Sequence, residues 1–77
     1  MSSLQARMVF SKADVSDPQD LLQLVRVWPP EWRDAFAERE AIMAIAARFP
    51  WAVAIREAFK DCQRVAAQSG VRLAAIP

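Results

Sequence analysis

Apolar residues recur at helical spacing from position 17 onward. Leu21, Leu24, Val25 and Trp28 stand at i, i+3, i+4 and i+7, which is one buried helical face. Asp17 precedes them as an N-cap whose carboxylate can accept exposed backbone N–H groups. Pro18 follows at the first helical position, where a missing N–H costs nothing, and Asp20 complements the helix dipole. The pattern predicts a first helix over 18–28, ended by Pro29 and Pro30. A second helix is predicted over 31–48. Its apolar residues Trp32, Ala35, Phe36, Ile42, Met43, Ala46 and Phe49 fall in a stripe roughly 140° wide, normal for a core-facing helix. Arg39 projects from near the middle of that stripe, level with Phe36 and Met43. A third helix is predicted over 51–69. Trp51, Ala54, Ile55, Ala58, Phe59, Cys62, Val65 and Ala66 form its apolar face, and Arg56, Glu57, Lys60, Asp61, Gln63 and Arg64 its polar one.

The joins have their own signals. The residue before a proline avoids the helical region, so Phe49-Pro50 reads as a tight break, with a kink in one long helix as the alternative. Gly70 stands where a left-handed C-terminal cap belongs, and Val71 is placed to close the accompanying apolar contact. Residues 1–16 form an arm in which Met8, Val9 and Phe10 suit a short strand or a loose segment, and 11–16 reads as loop. Residues 71–77 are an apolar tail without helix signals. The tail packs along the helices, pairs with Met8–Phe10, or docks on a partner.

The fold class this predicts is all-α. A short first helix and two longer antiparallel amphipathic helices make one helical domain over 17–70. Length and composition add an expectation about assembly. A chain of 77 residues buries only about 60% of its unfolded surface, and such chains need disulfides, a metal or oligomerisation. Cys62 is the sole cysteine and there is no histidine, so an internal disulfide and a zinc site are both ruled out. The hydrophobic fraction is 55%, above the roughly 45–50% of ordinary soluble domains. A homodimer built as a four-helix bundle would cover the excess.

Charge and candidate chemistry then narrow the function classes. A net charge of +1 argues against a dedicated nucleic-acid binder. The first ten residues lack a signal-peptide pattern, and the most apolar stretch, 41–55, is broken by Arg48 and Pro50, so no membrane insertion and a cytoplasmic location are expected. Without histidine there is no imidazole base, and one glycine cannot build a phosphate loop. No catalytic residue, metal or cofactor is therefore expected. Cys62 reads as a small buried hydrophobe. The pairs Asp34/Glu38 and Glu57/Asp61 read as solvated surface.

Two sets of residues remain as candidates. Arg56, Lys60 and Arg64 make a basic row at i, i+4 and i+8 that suits a solvated face, an acidic partner or, third, nucleic acid. Glu57–Lys60 and Asp61–Arg64 are also spaced as ion pairs. Trp28, Trp32, Phe36, Arg39, Met43 and Trp51 make the other set, a partner or dimer interface, with burial in the core as the equal alternative for the aromatics. Trp and Arg are preferred interface anchors, and a charge on an apolar stripe either snorkels to water or meets a carboxylate across an interface.

In size and general architecture the chain resembles the small helical inhibitors and anti-activators that phages and plasmids encode against host regulators. The resemblance implies a non-catalytic regulator that covers a functional surface on a larger bacterial protein. The alternative is a small DNA-binding transcriptional regulator that uses the third helix for recognition.

Overall fold

The computed structural model describes residue 13 and residues 16–76, and among them the chain is all-helical, without strands. The possible strand at Met8–Phe10 lies outside the described residues. Helix α1 spans Pro18–Val25, α2 spans Pro30–Ile45 and α3 spans Trp51–Gln68. Each starts where local chemistry favours it. The Asp17 side chain accepts the Gln19 N–H at 2.8 Å and Pro18 occupies the first turn of α1. Pro29 and Pro50 sit just ahead of α2 and α3 in extended backbone, and their carbonyls accept the first helical N–H groups. Phe49-Pro50 is thus a break between two helices rather than a kink in one.

Two helices end earlier than their periodicity predicts. α1 stops at Val25, and tight i→i+3 bonds from Val27 to Leu24 and from Trp28 to Val25 carry the chain to Pro29. α2 stops at Ile45 instead of running to 48. Its last turn widens: the Ala47 N–H reaches the Ile42 carbonyl and the Phe49 N–H reaches that of Met43. Arg48 adopts the left-handed region, at φ +57°. Pro50 forbids helical geometry at Phe49, and Arg48 is where the chain turns out. α3 ends as predicted. Gly70 has φ +74°, the Val71 N–H bonds to the Ala66 carbonyl at 2.8 Å, and the Gly70 N–H bonds to that of Ala67 at 3.2 Å. Nothing lies within 4 Å of a Cβ built at Gly70, so it is the backbone angle, not space, that asks for glycine.

The core forms around α3, which packs against both α1 and α2. Ala54, Ile55, Ala58, Phe59, Cys62 and Ala66 are its buried face. Leu21, Val25 and Trp28 arrive from α1 and the turn after it, Phe36 from α2, and Leu73 from the tail. Ala13, helical and buried, joins them, so this part of the arm is core rather than loop. Trp28 is central. It meets Phe36 edge-on with centroids 6.0 Å apart and Phe59 in a tilted contact at 5.2 Å. Its indole Nε1–H donates to the Ala74 carbonyl at 2.9 Å, and Gln63 Nε2 donates to the same oxygen at 3.0 Å. The tail packs along the helices, one of its three expected arrangements; pairing with Met8–Phe10 lies outside the described residues.

Candidate functional site

The residues expected at a partner interface divide into three groups. Trp28 and Phe36 are 2% and 5% exposed, so they are core side chains and no partner can reach them in the folded monomer. The physical reason is that α1 ends beside α3, which brings Trp28 over Phe59 and Phe36. Trp32 and Met43 are half-buried against that core. Trp51 is 51% exposed and belongs to the surface.

Arg39 has an intramolecular solution. Its guanidinium pairs with the Asp61 carboxylate across α2 and α3, so the carboxylate expected on a partner is supplied by the chain itself. Asp61 also accepts from Arg64, one turn along α3. The Arg64 hydrogen bond holds the Asp61 carboxyl below its ordinary pKa; burial pushes it up, and Arg39 adds to the lowering. The other two members of the basic row are engaged as well. Lys60 pairs with Glu57 at 2.9 Å, and Arg56 Nε donates to the Ser16 carbonyl at 3.1 Å. Among the described residues, Arg56 reaches another segment, the one before α1, while Lys60 and Arg64 each pair one turn away along α3 itself.

Cys62 is a free, fully buried thiol, and burial is the main cause that pushes its pKa up. A thiol held neutral this way is a poor nucleophile and a poor ligand. Among the described residues no group of three metal-capable side chains comes together, and no helix is long and apolar enough to cross a membrane. An open groove of about 530 Å³ runs between α1 and α2, floored by Leu22, Val25 and Phe36 and rimmed by Arg26 and Arg33.

The most distinctive surface is the join between α2 and α3. Ile42 is 55% exposed, Ile45 77%, Phe49 40% and Trp51 51%. Ile42 and Phe49 lie at one edge of the predicted stripe. The stripe residues that meet the core are Trp32, Ala35, Phe36 and Met43. α1 does not extend over the last turns of α2, so that edge stays wet. Ile45 lies outside the stripe altogether. An isoleucine on a face otherwise reading Glu31, Asp34, Glu38 and Ala41 was the sequence signal that could have exposed this surface. Val27, 71% exposed after α1, is an isolated case. No protein-family model, curated protein or solved structure matches the chain.

Proposed function

We propose that this chain is a non-catalytic, cytoplasmic regulator that works by binding a larger protein, as an inhibitor or anti-activator that covers a functional surface. The observation that carries this reading is the group of exposed large apolar side chains at one join: Ile42, Ile45, Phe49 and Trp51. Contiguous exposed apolar surface in a small globule marks an interaction site more often than chance exposure does, and a half-buried tryptophan is a common anchor. The arrangement expected for α2 and α3 is an antiparallel hairpin. The five-residue connection after Ile45 and the Arg39–Asp61 pair fit it. Self-association of two such hairpins into a four-helix assembly is the second-copy form of the same reading.

Binding of DNA through α3 has less support. Arg56, Lys60 and Arg64 each already pair with an oxygen of the chain itself, which weakens the positive field that α3 presents to phosphates. The deciding experiment uses the full chain as bait in parallel with a Trp51→Ala/Ile45→Glu variant and a Val27→Glu control. A specific partner kept by wild type and control but lost by the double variant supports the reading. Equal capture by all three, or binding to duplex DNA that falls steeply with salt, overturns it.

A further inference from the structure

α1 and α2 each accompany α3, and the open groove of about 530 Å³ lies between the two. Helical spacing builds its walls. On α1, Leu22 and Arg26 are one turn apart. Arg26 is the C-cap residue, still in right-handed helical conformation with its N–H on the Leu22 carbonyl, so the face continues through it. On α2, Arg33 and Phe36 stand at i and i+3, well inside the helix. Val25 and Phe36 are nearly buried and form the base. Leu22, half-buried, and the methylene stems of the two arginines supply the apolar surface that a ligand can reach.

Charge selects what suits this groove. The chain has nine acidic side chains, yet none of the described residues that line the groove is acidic. At 100° per residue, Glu31, Asp34 and Glu38 turn towards the opposite side of α2. Glu40 shares Arg33's side, but it stands two turns further on and is not among the lining residues. Arg26 and Arg33 are exposed, and among the described residues neither pairs with a carboxylate. Arg26 donates instead to the neutral Gln23 Oε1 at 3.4 Å. Arg39, Lys60 and Arg64, by contrast, all meet acids. Both uncommitted cations flank the Pro29-Pro30 turn, so positive charge gathers at that end of the groove. Shape narrows the choice further. A small ligand is held by a pocket that encloses roughly 70–90% of it, which an open groove does not do. An amphipathic helix buries one face only, and a shallow valley between two helices is enough.

We infer that the α1–α2 groove receives an acidic amphipathic helix of another protein, whose apolar side chains lie on Leu22 and whose carboxylates meet Arg26 and Arg33. The site is separate from the α2–α3 join, at the other end of α2, and stands or falls independently of it. A second copy of this chain is a poorer occupant. It would have to offer the acids on a different side of its own α2, and such a head-to-tail contact leaves both ends open and grows chains. The contact is small, so binding through the groove is weak and reversible.

Fluorescence anisotropy of a labelled synthetic peptide titrated with the full chain tests this, with circular dichroism confirming that each variant is folded. The probe is an amphipathic helix of about four turns, with leucine along one face and glutamate beside it. A second peptide carries lysine in place of every glutamate. Wild type should bind the glutamate peptide at least about tenfold tighter than the lysine peptide, and the preference should shrink as salt is raised. Arg26→Glu with Arg33→Glu should reverse the preference, and the milder Arg26→Gln with Arg33→Gln should abolish it. Leu22→Ser should weaken the glutamate peptide several-fold. Trp51→Ala with Ile45→Glu should leave it unchanged. No binding of the glutamate peptide up to about 1 mM overturns the inference. So does equal binding of the two peptides, or a preference that survives both arginine pairs. Displacement of the peptide by duplex DNA or by decanoate overturns it too, because the two cations would then serve phosphates or a small carboxylate. Binding lost only in the Trp51→Ala/Ile45→Glu variant also overturns it, and supports the join as the partner's site.

Discussion

Trp28 and Trp51 are the same residue type, each next to a proline at a helix junction, yet one is buried and the other half in water. Around Trp28 three segments converge: the turn after α1, the middle of α3 and the tail, with Phe36 completing the cage. Trp51 opens α3 at its join with α2 and, among the described residues, is not part of the core cluster. Two helices alone cannot bury all sides of an aromatic ring; a third element is needed. Burial here follows from how many segments arrive, and the apolar character of the residue does not decide it.

The largest test of this contrast is a pair of truncations. Phe59→Ala opens a void at the converging end and should cost about 3–5 kcal/mol in chemical denaturation. Trp51→Ala should cost less than about 1 kcal/mol, because its ring already faces water on one side. Equal losses would show that the join is as tightly packed as the core. Next in size is Trp28→Phe, which keeps the ring contacts but removes the donor to Ala74. We expect a loss of about 1–2 kcal/mol, with faster hydrogen exchange confined to residues 71–76. Unchanged exchange there would mean Gln63 alone secures the tail.

The two left-handed residues sharpen the comparison further. Gly70→Ala should destabilise by about 1 kcal/mol, since alanine is strained at φ +74°. Arg48→Gly should stabilise by roughly 0.5–1 kcal/mol by relieving the same strain at the exposed join. A thermal melt that moved the same way for both would remove the strain argument. The smallest effect belongs to Asp61. Its carboxyl is held low in the folded chain by Arg64 and Arg39, so its contribution is present above the unfolded carboxyl pKa and is lost as pH falls through the folded one. Asp61→Asn should therefore flatten the acid limb of the stability profile below about pH 4, by 1 kcal/mol or less because Arg64 is 60% exposed. An unaltered acid limb would show that the pair contributes nothing.

Much of the helical order was legible because caps and periodicity are local. Asp17-Pro18, Phe49-Pro50 and Gly70-Val71 each act within a few residues, and the structure places a helix boundary at each. The buried face of α3 was legible for the same reason. What periodicity could not tell was which part of an apolar stripe finds a neighbour. Ile42 and Phe49 belong to the α2 stripe yet stay exposed, whereas Trp28 is buried as its periodicity predicts, because a stripe is covered only where a neighbour arrives. Arg39 had the same difficulty: its position left open snorkelling to water or a carboxylate on a partner, and only the pairing of α2 with α3 brings Asp61 to it.

The Ala74 carbonyl has both lone pairs occupied, by the Trp28 indole and the Gln63 amide. That fixes the direction in which the chain leaves the core, and Ile76 lines a shallow cleft with Leu24 of α1 and Val27 just after it. A reporter attached at position 76 would therefore sit next to α1. Ile45 and Trp51 would stay open to whatever comes to meet them.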